Sequence, residues 1–399
     1  MDEVIESTMP GEPSEAEYAS RLTAVRARME GQGLAGLVVT DPANLYYLTG
    51  YNAWSFYTPQ LLVVPAQGPM VLFARAMDAQ GAHRTTFLRG ESIVGYPEVL
   101  VHRRNAHPFD WVGEQIYRRG LISGGEKVGV ELDSHYFSPR AFIALDTAMP
   151  RHRLVDCDEL VNWARVVKSE HEIAVMRTAA RVTTVAMQAA IDTIGVGVPQ
   201  NVVAAEIAKA QALGDGDAWG DFPAIVPMLP TGAAADTPHL TWTDQRFVSE
   251  EAVVIELAGV HRRYHVPLAR TVVLGRPSDE LRRLEEPVAE GLAAVLAQMT
   301  PGTIVNHLAD TWNETLARHG LYKASRLGYS VGIGYPPDWG ERTVSIRTED
   351  TTVLETNMTF HVICGMWMTG YGYEVSESVR VTASGAETFT DIPRGLLAR

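Results

Sequence analysis

The sequence predicts an α/β protein built from two domains. Its 399 residues exceed the usual size of one domain, and 46% apolar with 21% charged residues is a globular composition. The chain opens with a helical pattern followed by a buried-strand pattern, which begins an α/β domain. Near residues 160–168 the pattern changes and a long amphipathic helix follows, which indicates a domain boundary.

The N-terminal domain, assigned to residues 1–164, is expected to be a mixed sheet with helices on its faces. Helical periodicity over 15–31 precedes an apolar strand at 35–40 and a turn at 41–44. Further strands are predicted at 60–64, 69–73, 92–96 and 127–131, with a helix at 110–119. Pro10, Gly11 and Pro13 predict that the first dozen residues form a loose arm or a tail that grips a partner.

The C-terminal domain, assigned to residues 165–399, is expected to begin with a helix over 170–194. Ser169 stands in the N-cap position of this helix, and Glu172 occupies the capping-box position three residues later. A further helix, a strand-rich core and helices over 279–298 and 305–320 are predicted to follow.

Charge and composition exclude several classes of function. The 34 basic and 48 acidic residues give a net charge of −14, which disfavours a nucleic-acid partner. No apolar run approaches the roughly 20 residues of a membrane span, and the N-terminus is acidic, unlike a targeting peptide. We therefore expect a cytoplasmic protein without a membrane partner.

The two cysteines, Cys157 and Cys364, are far apart in the sequence and have no metal-type spacing. This predicts a reducing compartment and no structural disulfide. Cys364 is either a small buried hydrophobic residue, which we favour, or a nucleophile.

Five strings in the C-terminal half carry a family resemblance. They are VIELAG at 254–259, RYHVPLART at 263–271, GYS at 328–330, FHVICG at 360–365 and SESVRVT at 376–382. Together they resemble the creatinase/aminopeptidase P/methionine aminopeptidase family, peptidase family M24. The resemblance implies an α/β (α+β) fold, with an N-terminal creatinase-like α/β domain and a C-terminal pita-bread domain of internal pseudo-symmetry.

The family's metal positions are mostly replaced in this sequence. In the metal-dependent members, two acids eleven residues apart, one histidine and two further acids hold two divalent ions that activate water. Proline and isoleucine offer no ligand atom, and neutral tyrosine is a poor substitute for imidazole, so we expect no metal and no other cofactor. Creatinase shows that the family scaffold can work without a metal. Those positions fall, in order, on Glu256, Pro267, Tyr329, Ile363 and Glu377.

Further strings resemble the ectoine hydrolase branch of the family. They are WSFYTPQ at 54–60, LPTG at 229–232, PHLTW at 238–242, YHVPL at 264–268 and GYPPDWGERT at 334–343. Two departures occur: Cys364 stands where we expect proline, and TGYGY at 369–373 replaces what we expect to be a more acidic, tryptophan-containing segment.

Five residues are catalytic candidates, namely His239, Glu256, Glu377, His265 and Tyr329. His239 matches a family position whose histidine shuttles protons, although outside that context a structural turn histidine is the more common meaning. Glu256 ends an apolar strand and is either a general base or amidinium clamp, or a carboxylate tied to a buried arginine. Glu377 is expected to converge on the same cavity from a neighbouring strand. Glu374, three residues away, should point to the other face and is the weaker candidate.

The other two candidates are His265, in the former metal loop two residues before Pro267, and Tyr329, at the former histidine-ligand position. His265 either orients an acid or donates to the reaction intermediate, or is a hydrogen-bonded core residue. Tyr329 offers a phenol donor to an oxyanion or to a substrate carboxylate.

Seven further residues are predicted to contact the substrate. Asp338 and Glu341 are expected in an ordered loop over the cavity, with surface capping as the alternative. The aromatic loop of the N-terminal domain either belongs to a hydrophobic core or, as the resemblance implies, reaches the active site of the partner subunit in a homodimer. Aromatic faces there suit a small cation. The seven residues are Trp54, Phe56, Tyr57, Trp242, Asp338, Glu341 and His361, the last of which is the least favoured.

Two carboxylates without a metal suit a planar amidinium or guanidinium, whose N–H groups pair with an acid. With the resemblance, this predicts a metal-independent hydrolase that opens a C–N bond of a small cationic or zwitterionic cyclic amidine. The leading reaction converts ectoine to N-acetyl-L-2,4-diaminobutyrate. The alternatives are a creatinase-like guanidine hydrolase, an Xaa-Pro dipeptidase-like enzyme or a lyase with an unconventional metal set, and a catalytically silent binding homologue.

Overall fold

The computed structural model describes residues 12–123 and 127–399. In this part of the chain, the backbone forms two compact units that divide between Arg165 and Val166. The arm predicted for the first dozen residues lies, apart from Glu12, outside the described residues. No helix among the described residues is long and apolar enough to cross a membrane. Cys157 and Cys364 are both buried free thiols.

The N-terminal unit contains a six-stranded mixed sheet with the strand order β4-β3-β2-β1-β5-β6. β1 pairs antiparallel with β2 and parallel with β5, which confirms the predicted mixed α/β character. The apolar core lies between this sheet and α4 and α5. The strands are β1 (Gly36–Val39), β2 (Leu61–Pro65), β3 (Val71–Arg75), β4 (Ile93–Tyr96), β5 (Lys127–Val130) and β6 (Arg153–Asp156). The helices are α1 (Glu15–Gln32), α2 (Pro42–Thr49), α3 (Ala76–Thr85), α4 (Pro108–Arg118), α5 (Pro139–Ala148) and α6 (Leu160–Ala164).

The turn predicted at 41–44 is instead the start of α2. Asp41 caps this helix by accepting a hydrogen bond from the amide of Ala43 at 2.9 Å, and Pro42 occupies the first turn, where its missing N–H costs nothing. Buried Glu131 accepts from the amide of Asp41 at 2.8 Å and from the side-chain amide of Asn44 at 2.6 Å. These contacts fix the direction of α2 and of the aromatic loop that follows it.

The C-terminal unit combines four α-helices with a long sheet that is antiparallel except for the parallel pair β8 and β14. The main strand order is β13-β12-β11-β9-β8-β14; β10 pairs with β9, and β7 pairs with β8. The helices are α7 (Glu170–Thr193), α8 (Gln200–Leu213), α9 (Asp279–Gln298) and α10 (Val305–Arg318). The strands are β7 (Ala252–His261), β8 (Tyr264–Val273), β9 (Gly328–Tyr335), β10 (Asp338–Ile346), β11 (Thr359–Met368), β12 (Tyr371–Thr382), β13 (Gly385–Thr388) and β14 (Leu397–Ala398).

Helix α7 starts as predicted and holds the β7–β8 hairpin in place. Ser169 Oγ accepts from the amide of Glu172 at 3.2 Å, and the carboxylate of Glu172 accepts from the amide of Ser169 at 2.9 Å. Further along, Thr183 Oγ1 donates to the carbonyl of Val266 at 2.6 Å and accepts from the amide of Gly259 at 2.9 Å. A Cβ on Gly259 would lie 2.1 Å from the Thr183 nitrogen, so only glycine permits this approach.

The ordered loop expected at 338–342 is not a loop. Residues Asp338–Ile346 form strand β10, which returns along β9 after Pro336 and Pro337. Because both strands belong to the sheet, Asp338 and Glu341 are fixed by strand pairing.

Candidate active site

Glu256 is a buried carboxyl group without a hydrogen-bond partner in the described part of the chain. It lies in the middle of β7 with 6% of its surface exposed. Its backbone exchanges hydrogen bonds with Met228, at 2.8 and 3.1 Å, which fixes the position of the residue. Burial and the charge of Glu374 raise the pKa of Glu256 well above its usual range, whereas Lys323 opposes this shift.

Glu374, the candidate ranked second to Glu377 from the sequence, is the carboxyl group whose charge acts on Glu256. It lies on β12, is 1% exposed, and its Oε2 has no hydrogen-bond partner among the described residues. Burial raises the pKa of Glu374 to about 7, against the opposing charge of Lys323. Thr271 holds the Glu374 backbone to β8 through two 2.9 Å hydrogen bonds, one to the carbonyl and one from the amide.

Glu377 has a structural partner instead. Its Oε1 accepts from Arg270 Nη2 at 2.7 Å and from Arg394 Nε at 2.9 Å, and the Arg270 side chain is fully buried. The alternative considered for Glu256, a carboxylate paired with a buried arginine, therefore applies to Glu377. Glu374 and Glu377 lie on opposite faces of β12, as the spacing predicted, and Glu374 is the one whose charge acts on Glu256.

Sequence reasoning missed Lys323, which lies in the connection between α10 and β9. Its ammonium donates to the carbonyl of Ile363 at 2.9 Å and lies 4.8 Å from the centroid of the Trp367 ring. Burial lowers the pKa of Lys323 to about 8, while the charges of Cys364, Glu374 and Glu256 oppose this shift. The only signal in the sequence is composition, because the chain has four lysines and this one stands between two predicted elements.

Tyr329, His361 and Ser376 form one hydrogen-bonded chain. His361 Nδ1 lies 3.2 Å from the Tyr329 hydroxyl, and His361 Nε2 lies 2.7 Å from Ser376 Oγ. Ser376 Oγ accepts from the amide of Ala269 at 2.6 Å, and Tyr329 accepts from the indole of Trp339 at 2.8 Å. Burial lowers the pKa of His361 to about 3, so the ring is neutral and carries one N–H.

We infer one order of hydrogens for this chain. In it the Ser376 hydroxyl, which accepts from a backbone amide, donates to His361 Nε2, and His361 Nδ1–H donates to Tyr329. This order leaves the phenol proton of Tyr329 available to another acceptor. Burial and the charge of Glu256 raise the pKa of Tyr329 well above its usual range, which keeps that proton in place.

Both ring nitrogens of His265 have backbone partners. It is fully buried, its Nε2 accepts from the amide of Ala224 at 2.9 Å, and its Nδ1 lies 2.8 Å from the carbonyl of Arg263. Burial lowers its pKa well below the usual range. Of the two roles considered, the structure favours the hydrogen-bonded core residue.

Glu341 and Asp338 also have structural partners. Glu341 Oε2 pairs with Lys168 at 2.7 Å, with both side chains 1% exposed. Asp338 Oδ1 accepts from the amide of Gly340 at 2.9 Å, which closes the start of β10. We expected both residues to contact the substrate from a loop over the cavity. The loop part of this expectation is wrong, because β10 is a paired strand.

His239 is exposed in a loop that is anchored beside Glu256. The amide of Leu229 donates to the carbonyl of Leu240 at 3.0 Å, and Met228 is the residue paired with Glu256. The same loop follows the short helix Gly232–Asp236, which packs against the start of β12. Trp242, in contrast, is half-buried against the apolar cluster beneath β7 and β8.

The three aromatic candidates of the N-terminal unit form an anchored surface loop. Trp54 and Tyr57 are 61% and 60% exposed, and the rings of Trp54 and Phe56 are 4.8 Å apart. Buried Ser55 contacts the Tyr51 hydroxyl at 2.8 Å and donates to Gln60 Oε1 at 2.8 Å. Trp54 and Tyr57 therefore do not belong to a hydrophobic core, which was one of the two alternatives expected from the sequence.

The residues present do not fit a pair of divalent ions. The side chains of Pro267 and Ile363 supply no donor atom, and the carbonyl oxygen of Ile363 accepts from the Lys323 ammonium. Among residues 12–123 and 127–399, no group of three or more His, Cys, Asp or Glu side chains is arranged to hold a metal ion.

Comparison with known proteins places this fold in a family. Residues 174–383 match the model for metallopeptidase family M24, and residues 21–167 match the creatinase/prolidase N-terminal domain. The chain is 41% identical to an ectoine hydrolase of Halomonas elongata over 96% of this chain and 97% of that protein. It is 40% identical to an uncharacterized hydrolase/peptidase of Sinorhizobium fredii, over 97% of this chain and 98% of that one.

The fold is also that of solved prolidases. The prolidase of Thermococcus sibiricus superposes with a TM-score of 0.83 at 19% identity, over 96% of this chain and 99% of that chain. The chain belongs to the M24 family and combines a creatinase-like N-terminal domain with a C-terminal pita-bread domain.

Proposed function

We propose that this M24 hydrolase acts without a metal and opens a C–N bond of a small cyclic amidine, with ectoine as the leading substrate. The observation that carries this proposal is the pair Glu256 and Glu374. Both carboxyl groups are buried, neither forms an ion pair in the described residues, and Glu374 Oε2 has no hydrogen bond. Buried carboxyl groups of this kind are costly unless a ligand pairs with them.

An amidinium matches this pair in charge and shape. It is a planar cation whose N–H groups donate to carboxylate oxygens, and pairing with it lowers the pKa of the acid that accepts from it. The 41% identity to an ectoine hydrolase over nearly the whole chain supports ectoine as the amidine. The creatinase-like alternative would act on a guanidinium, a cation of related shape.

The reaction adds one water to the amidinium carbon of ectoine. Either a carboxylate attacks this carbon and water later replaces it, or water attacks directly while a carboxylate or His239 takes its proton. A proton then passes to the departing ring nitrogen, the C–N bond breaks, and the carbon becomes the acetamido carbonyl of N-acetyl-L-2,4-diaminobutyrate. His239 suits the proton transfers because imidazole both accepts and donates near neutral pH.

Tyr329 serves as the donor in this scheme. In the hydrogen order inferred above, Trp339 and His361 both donate to its oxygen, which leaves its phenol proton for the substrate. We propose that it stabilises negative charge that develops on the adduct. We further propose a cytoplasmic homodimer in which Trp54, Phe56 and Tyr57 reach the active site of the partner subunit.

The experiment is ring opening of ectoine by metal-stripped protein of measured metal content, followed by NMR. We expect turnover that is unchanged by added manganese or zinc and is lost in both His239→Ala and Glu256→Gln. Glu206→Gln is the matched control, because this half-buried carboxylate lies on α8 and pairs with Lys209 at 3.0 Å. Turnover only with added metal refutes metal independence; release of urea from a guanidino acid, without ring opening, favours the creatinase-like alternative.

A further inference from the structure

The C-terminal unit buries two lysines, and they are bound in different ways. Lys168 pairs with Glu341 at 2.7 Å and donates to the carbonyl of Val166 at 3.1 Å. Lys323 is 7% exposed but has no ion-pair partner in the part of the chain that the structure describes. Its hydrogen bond goes to the Ile363 carbonyl, and an ammonium has three donors. Two N–H groups of Lys323 therefore remain for a ligand.

The contacts of Lys323 place its ammonium next to Glu374. Ile363 and Trp367, which it touches, flank Gly365 on β11, and Gly365 pairs directly with Glu374 on β12. Gly365 has no side chain to separate the two groups, and a Cβ there would lie 2.5 Å from the Trp367 ring. An ammonium with spare donors and a carboxylate with an unpartnered oxygen thus occupy one region.

We infer that Lys323 binds the carboxylate of a zwitterionic amidine while Glu374 accepts an N–H of its amidinium. This assignment rests on the proposed function and specifies its substrate class. It makes Lys323 the residue that selects amidines with an acid group over simple cations.

Charge balance supports the assignment. Lys323 and one ionised glutamate have no net charge together, and a zwitterion adds none. A cation without a carboxylate would bring one uncompensated positive charge to a buried region that already holds an ammonium, which is unfavourable. The same ammonium disfavours a metal dication at this place.

The test compares two ligands: ectoine and the same methyl-substituted tetrahydropyrimidine ring without its carboxylate. Binding is measured by calorimetry and ring opening by NMR for the wild type, Lys323→Met, Lys323→Arg and the matched control Lys168→Met. Thermal unfolding of each variant shows which of them remain folded.

Lys323→Met is expected to weaken ectoine binding and kcat/KM by about 100-fold, because a buried charge pair with the substrate is lost. For the ring without a carboxylate, binding and kcat/KM of Lys323→Met should change by less than about threefold. Lys323→Arg should retain part of the preference for ectoine over that ring. Lys168→Met breaks a structural pair, so it should lower the unfolding temperature without changing the preference between the ligands.

Equal losses for both ligands in Lys323→Met would overturn the assignment and make Lys323 a counter-charge of the glutamates. So would unchanged ectoine binding. Failure of the proposed function gives a different result. If the wild type binds ectoine in preference to the ring without a carboxylate but does not open it, hydrolysis is rejected and the role of Lys323 is retained. A wild type without any preference for the carboxylate rejects the role of Lys323.

Discussion

Glu374 and Glu377, three residues apart on β12, lie on opposite faces of the sheet in opposite electrostatic surroundings. Glu377 accepts from Arg270 at 2.7 Å and from Arg394 at 2.9 Å. Glu374 forms no ion pair in the described residues, and its charge acts on Glu256. One strand therefore carries an acid bound by two arginines and an acid without an ion pair among the described residues.

Glu374→Gln should reduce kcat/KM for ectoine by about 100-fold and leave the fold stable, because the neutral amide cannot pair with an amidinium. Removing a buried carboxyl group with a raised pKa costs the fold little. Steady-state kinetics and urea unfolding test this expectation. Full activity in Glu374→Gln would remove the residue from the site.

Glu377→Gln should have the opposite effect. It leaves Arg270 buried without its counter-charge, which costs about 3–5 kcal/mol of unfolding free energy. Activity per folded molecule should change much less than stability. The comparison is decisive because the two substitutions are chemically identical and lie on the same strand; a larger kinetic defect in Glu377→Gln would restore the original assignment.

The pH dependence of stability should reveal the buried amine of Lys323. Its pKa is lowered from 10.5 to about 8 in the folded protein. Between these values the unfolded chain binds the proton and the folded chain does not, so this group makes stability rise with pH. Relative to Lys323→Met, the wild type should gain on the order of 2 kcal/mol between about pH 8 and about pH 10.

Urea unfolding of both proteins at the two pH values measures this difference. If the difference in unfolding free energy between the wild type and Lys323→Met is the same at both pH values, folding leaves the pKa of Lys323 unchanged.

Ser376→Ala should alter catalysis through His361 and Tyr329. The substitution removes the Ser376 hydroxyl, whose oxygen lies 2.7 Å from His361 Nε2 in the wild type. It also leaves the Ala269 amide unpaired. The unpaired groups should cost about 1–3 kcal/mol of stability. His361 can then move its proton to Nε2 and accept the phenol proton of Tyr329, so kcat should fall about tenfold with little change in KM.

Nitrogen-15 NMR of the imidazole distinguishes the two tautomers, and Ser376→Thr should restore both the tautomer and the rate. An unchanged tautomer together with a reduced rate would contradict the assigned order of hydrogens.

The aromatic loop can be tested by subunit complementation. If Trp54 serves the partner's site, homodimers of Trp54→Ala and of Glu256→Gln should both be inactive. Mixed dimers of the two variants should regain activity, because one of their two sites combines an intact loop with an intact glutamate. Absence of recovery after verified subunit exchange would place the loop and Glu256 of one chain at the same site. Trp54→Ala should not lower stability, since its side chain is 61% exposed.

The sequence by itself determined the family, the two-domain α/β architecture and the start of the helix at Ser169. These follow from local signals: hydrophobic periodicity, a capping box, and strings such as those around Glu256 and Tyr329. The replacement of metal ligands at Pro267 and Ile363 stays a prediction that rests on the family resemblance. The turn at 41–44 and the loop at 338–342 were misread because proline marks a helix start or a strand edge as well as a loop.

Only the tertiary structure decided which charges face one another. The spacing of Glu374 and Glu377 shows that they lie on opposite faces, but the position of Arg270 on β8 decides which of them is paired. Lys323 has no local signal, since its role comes from contacts with Ile363 and Trp367, about forty residues later in the chain. Electrostatic partners depend on distance in space, and a strand pattern records only the alternation of its own side chains.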